Sequence, residues 1–255
     1  MKKTIIFALL LITTTCFGQY QPIASKVYAW NEMTVSKKAH VEQRQILEGT
    51  TPAFKHLKVH ATTLDAHQAP HPAHKHNDEE LIIVKEGELT VTIEGKTETL
   101  EAGSIALIMP GDEHGFENKG NSKVSYYVMR YESVEPVDLE RGKQAGGSQM
   151  VHWKDVAFNP HDKGGRRNFI DRPTAHSKRF EMHVTTLNGK FMSHPPHTHK
   201  AAEILILTEN KAEETIDGKW YNSDIGDIVF LQSNIPHALR NDTKNPCTYF
   251  AFQFE

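Results

Sequence analysis

Beyond residue 50, polar and apolar positions either alternate or the apolar ones run together. "KHLKVHATTL", "ELIIVKEGELTVTIEG", "GSIALIMP" and "KVSYYVMRY" show the pattern, and Gly, Asn, Pro and Asp separate them. Alternation places successive side chains on opposite faces of a strand, while an unbroken apolar run suits a strand covered on both sides. A helical period is confined to the first residues and to a polar stretch near the middle. Many short strands joined by regular turns predict an all-β fold of the sandwich or barrel type.

The strand pattern occurs twice. "HPAHKHNDEELIIVKEG" (71–87) reappears as "HPPHTHKAAEILILTEN" (194–210), and an offset of 123 carries His74, His76, Glu80 and His114 onto His197, His199, Glu203 and His237. The register extends without a gap from Trp30 and Trp153 to Glu132 and Glu255. Histidine meets histidine at 60/183, 71/194, 74/197, 76/199 and 114/237, where random placement gives about 0.5 coincidences. The chain is an internal duplication, with units at 27–132 and 150–255. Residues 133–149, "SVEPVDLERGKQAGGSQ", read as a polar linker that is softest at Gly146-Gly147.

Composition narrows the function classes. The 255 residues suffice for two cores, and a net charge of −3 with dispersed cations gives no reason to expect a nucleic-acid partner. Histidine is the unusual entrant, at 16 residues. Residues 1–18 read as an export signal: Lys2 and Lys3, then the apolar Ile5 to Ile12, then Cys16-Phe17-Gly18 as the cleavage region. The apolar run is too short for a membrane span, so the expectation is a secreted or periplasmic protein beginning at Gln19. Losing both lysines takes the net charge from −3 to −5. Cleavage also leaves Cys247 alone, a small hydrophobe without an internal disulfide partner.

On a strand, His74, His76 and Glu80 share one face, and the turn "PGDEH" returns His114 beside them. Three imidazoles and a carboxylate suit Mn, Fe, Ni, Co or Zn, and four ligands leave positions open on an octahedral ion. A lone His-x-His pair is ordinary surface polarity. Four ligand types recurring at one spacing in both halves outweigh that reading, and one metal per unit is expected. His71 and His194 have the opposite parity, so loop polarity is their expected role, ahead of a substrate contact. His60 and His183 either line a lumen or face water.

The spacing His-x-His-xxx-Glu-(six residues)-Gly, followed by Gly-(ten)-His-xxx-Asn, resembles the two signature motifs of the cupin superfamily, twice over. The resemblance implies a bicupin, two tandem jelly-roll β-barrels, with metal held by His74, His76, Glu80 and His114 in one and by His197, His199, Glu203 and His237 in the other. Asn210 and Asn234 stand where the first motif has Gly87 and Gly111, and Asn tolerates the left-handed backbone best after Gly. The implied activity is metal-dependent chemistry on a small, oxygen-rich, anionic substrate. Dioxygenase or decarboxylase chemistry stands ahead of isomerisation or elimination on a sugar acid, with a non-enzymatic sugar- or metal-binding protein as the other class. A homo-oligomer is left open. Arg130 faces Gln253 in the repeat and Lys58 faces Glu181. Arg130 is therefore the candidate substrate clamp, and the first unit the candidate for turnover.

Overall fold

The structure, a computed structural model, describes residues 20–255. The expected export signal lies outside the described residues. Each repeat forms a large antiparallel sheet facing a small one. In the first, the order is Gln149–Val151, Ile105–Ile108, Glu79–Glu86, Val124–Ser133, Phe54–Leu64, Val41–Gly49 and Val35–Lys38. Lys96–Glu101, Glu88–Ile93 and His114–Glu117 form the small sheet. The second repeat places Ala202–Glu209, Cys247–Phe254 and Phe180–Leu187 at the middle of its large sheet. The two tandem jelly rolls expected from the sequence are the fold. Among the described residues, no helix is long and apolar enough to cross a membrane.

The repeats exchange their first strands. Lys26–Tyr28 pairs with Ile228–Leu231 at the edge of the second repeat's sheet, and Gln149–Val151, its counterpart, pairs with Ile105–Ile108 in the first. The aromatic residues that follow complete the exchange. Trp153 covers Gly103, where a β-carbon would fall 2.6 Å from the indole, and Trp30 covers Gly226 in the same way at 3.2 Å. Each added strand hides an edge that would otherwise offer unpaired backbone groups to another chain. The linker contributes a short helix, Leu139–Gln144, whose start is capped by the Asp138 side chain.

Strand parity divides the core into three. Ile82 and Val84 point into the first barrel with Leu89, Val91 and Phe116, and Leu205 and Leu207 point into the second. The opposite faces of both large sheets meet in one shared cluster that includes Phe54, Tyr131, Phe180 and Phe254. There Phe54 stacks on Phe254 and on Tyr131, each at 4.6 Å between centroids. A buried carboxyl joins the repeats at this contact. Glu79 accepts hydrogen bonds from the Tyr131 hydroxyl at 2.9 Å and the His176 amide at 2.8 Å. Burial pushes its pKa up to about 7, against the opposing pull of those bonds.

The two departures in the repeat keep the turn. Asn210 has φ 57° where Gly87 has 80°, and Asn234 has φ 61° where Gly111 has 86°. The Asn210 amide also donates to Thr243 Oγ1 at 2.9 Å, which holds the left-handed turn.

Candidate metal centres

In each barrel the ligand-bearing segment runs along the mouth of the lumen. His74 and His114 exchange backbone hydrogen bonds of 2.9 Å in both directions, and His197 and His237 do the same at 3.1 and 3.0 Å. This bridge brings the motif before the strand against the motif after the small sheet. One ring nitrogen from each of His74, His76 and His114 lies within 4.8 Å of the others, and His197, His199 and His237 form the equivalent group.

The carboxylates complete both clusters. Glu80 Oε2 is 2.7 Å from His76 Nε2 and 3.4 Å from His114 Nε2. Glu203 Oε2 is 3.2 Å from His199 Nε2 and 3.1 Å from His237 Nε2. The structure thus gathers all eight side chains singled out in the sequence into two groups of four.

Ring orientation is set from outside the clusters. His76, His114, His199 and His237 each donate from Nδ1 to a backbone carbonyl, of Asp78, Asp112, Ala201 and Ile235 respectively, at 2.8–3.0 Å. A carbonyl only accepts, so Nδ1 carries the proton and Nε2 faces the carboxylate, the arrangement that presents a lone pair to a cation. His114 Nε2 and His237 Nε2 are buried and lack any partner of hydrogen-bond geometry. Such orphaned nitrogens, next to a carboxylate, fit a divalent ion.

The electrostatics agree with that fit. Burial acts to raise the pKa of Glu80, but the neighbouring His114 and His76 outweigh it and hold the carboxyl at about 2. Glu203 is held at about 2 in the same way by His199 and His237. Burial and the neighbouring imidazoles His71, His114 and His76 push His74 down to about 4, so it is neutral at pH 7. Burial, with the imidazoles His194, His237 and His199, lowers the pKa of His197 in the second cluster as well, so both clusters set an ionised carboxylate near an imidazole whose charged form is disfavoured.

Each cluster opens into a lumen. The first cavity, about 530 Å³, is lined by His60, Lys58, Arg130, Tyr126 and Gln43 as well as His74 and Glu80. The second, about 280 Å³, is lined by His183, Lys163, Arg166, Tyr249 and Glu214 as well as His197, Glu203 and His237. His60 and His183 thus face the lumens rather than the outer surface. His71 and His194 stay exposed in the mouth loops, edge-on to His74 and His197 at 4.4 and 4.1 Å between centroids.

Arg130 lines the first lumen, but its Nε and Nη2 both donate to Asp78 Oδ2, at 2.8 and 2.6 Å. Lys58 is likewise paired with Glu48 at 3.3 Å. The sequence reading compared charge at two positions and missed Lys163 and Arg166 in the second lumen. Neither carries a periodic signal that marks it. Glu214 was also missed, although alternation in "KAEETIDG" places it with the inward Ala212 and Ile216.

A family model for the cupin domain matches residues 61–130 and 183–252, the segments that carry the two clusters. The chain belongs to the cupin family. Among curated proteins, none matches the sequence. Solved structures do match this cupin across both repeats. Oxalate decarboxylase from Lactobacillus farciminis, in a formate complex, superposes with a TM-score of 0.70 at 12% identity, covering 90% of this chain and 86% of that one. AerE from Microcystis aeruginosa gives 0.68 at 15%, covering 88% and 97%. YlbA from E. coli gives 0.69 at 16%, covering 96% of each. Identities this low establish a shared two-barrel fold and nothing finer.

Proposed function

We propose that this cupin is a metal-dependent enzyme acting on a small, oxygen-rich, anionic molecule, with decarboxylase- or dioxygenase-type chemistry. The observation that carries the reading is the convergence, in each barrel, of three imidazoles and an ionised carboxylate at the mouth of a lumen lined by cationic side chains. His74, His76, Glu80 and His114 would hold one ion, and His197, His199, Glu203 and His237 a second; Mn, Fe, Ni, Co and Zn all suit the donor set. When bound, such an ion polarises a substrate oxygen as a Lewis acid. The chain supplies the rest. Backbone carbonyls fix the imidazole rings, and Arg130 and Arg166, each held by a carboxylate, line the lumens where an anion would enter. Likeness in fold to an oxalate decarboxylase supports the reading, and export to the periplasm or beyond belongs to the same proposal.

Metal-replete protein is tested with oxalate, a catechol, a flavonol and an unsaturated uronate, following carbon dioxide release and oxygen uptake. Turnover of at least one is expected, with a loss of about 100-fold or more when both His76 and His199 are replaced by Ala, the scale seen when one electrostatic stabiliser is removed. Full metal occupancy with no turnover of any of the four would favour a binding protein over an enzyme.

A further inference from the structure

The two lumens differ at one buried position that the metal clusters do not use. The repeat offset sets Glu214, on the strand Ala212–Ile216, against Val91 on Glu88–Ile93. Val91 is fully buried in the apolar cluster of the first barrel. Glu214 is just as buried, at 0% exposure, and neither carboxyl oxygen has a hydrogen-bond partner. It lines the same cavity as His197, Glu203 and His237. Burial pushes its pKa well above the usual carboxylate range and the charge of Glu203 adds to this, while the Ala238 backbone opposes it without reaching hydrogen-bond geometry.

Most other polar groups in this lumen are already engaged. Lys163 donates to the carbonyls of Met192 and Ser193 at 3.0 and 2.9 Å. Arg166 pairs with Glu181 at 2.6 Å, and the same carboxylate meets His183 at 2.9 Å. A buried carboxyl left without a partner works against stability, and native proteins leave few such groups unexplained. The first repeat shows that a valine fits this position in the fold. A group kept at a cost to stability and turned into a cavity points to the cavity's occupant.

We propose that Glu214 is a ligand-contacting, specificity-determining residue of the second lumen. Its carboxyl hydrogen-bonds a hydroxyl or carboxyl group of a small molecule seated in the cavity it shares with the His197–His199–His237 cluster. The two lumens therefore select different molecules, because the second presents Glu214 where the first repeat has Val91 packed in its apolar core. The ligand's second anchor rests on the metal-centre reading given above; the placement of Glu214 does not.

The test uses His76→Ala protein, in which only the second cluster is complete, loaded with Co(II) and titrated with oxalate, glycolate and galacturonate while the visible cobalt spectrum is followed. At least one of the three is expected to shift the spectrum saturably. Glu214→Val should weaken that binding by about 10–100-fold, the worth of one hydrogen bond to a charged group. Glu214→Gln, which keeps an acceptor, should lose less. In metal-free protein, Glu214→Val should melt roughly 2–4 °C higher, because a small stability gain moves a chain of this size by that much. Unchanged affinity in Glu214→Val, no response to any of the three with cobalt bound, or a lower melting temperature would overturn the proposal. Failure of His76→Ala protein to take up cobalt would instead refute the metal centre, and the metal-free melting comparison would still decide Glu214.

Discussion

Phe254→Ala is expected to lower the melting temperature by roughly 6–20 °C, from the usual cost of about 3–5 kcal/mol for a buried Phe-to-Ala change and about 2–4 °C per kcal/mol in a protein of this size. Phe254 is fully buried and stacks on Phe54 of the other repeat at 4.6 Å with an interplanar angle of 18°. Its strand pairs on one side with Phe180–Leu187 and on the other with Ala202–Glu209. Loss of the ring opens a void between two sheets that strand pairing holds in place, so neighbouring residues have little freedom to collapse into it. The shared cluster and the exchanged first strands tie the barrels together, so both should unfold in one transition. Calorimetry checks this. A shift under about 2 °C, or two transitions of which one does not move, would contradict a shared core.

The second large effect is metal-linked stability. Ion binding to the folded state alone adds RT ln(1 + [M]/Kd), about 2.7 kcal/mol at a hundredfold excess over Kd, which corresponds to roughly 5–10 °C. The sign with pH follows from the clusters. Burial lowers the pKa of His114, but the neighbouring Glu80 carboxylate overcomes this and raises it above its ordinary 6.5. The Glu203 bond does the same for His199, burial opposing. In the metal-free protein, the stability these pairs supply is fully present below the unfolded histidine value and is lost as pH rises through the folded one. Glu80 and Glu203, held at about 2, lose their contribution only as pH falls from the ordinary carboxylate range toward 2. A metal ion takes the place of the histidine proton, so it competes best at pH 7–8 and poorly at pH 5. Chelator should therefore lower the melting temperature at pH 7.5 and change it little at pH 5. Identical curves with and without chelator at both values would rule out a folded-state metal.

The clusters were legible because their residues are chemically rare and recur at one spacing. His74, His76 and Glu80 meet through strand parity, and the repeat supplies the second copy. The substitutions Asn210 and Asn234 were legible for a similar reason, since few residues accept a positive φ. The exchange of Lys26–Tyr28 and Gln149–Val151 was not. Three-residue strands have no usable period, and their partners lie far away in the sequence. Arg130 shows another limit: its position in the first lumen could be read from parity, whereas its capture by Asp78 depends on side-chain direction at the barrel mouth. Glu79 lay beside a ligand in the motif, yet its partners Tyr131 and His176 meet it only where the repeats pack. Its counterpart Ala202 has no such role. Glu214 was available from alternation, and comparison with Val91 would have marked it.

Two equivalent metal centres are the central claim, and metal stoichiometry tests it most directly. Protein purified from its native compartment is analysed by mass spectrometry for Mn, Fe, Co, Ni and Zn, together with His76→Ala and His199→Ala. Both clusters are complete, so the unaltered chain should carry two ions and each variant one, the survivor lying in the untouched barrel. Two ions retained in either variant, or none in the unaltered chain after reconstitution with each metal, would contradict the assignment.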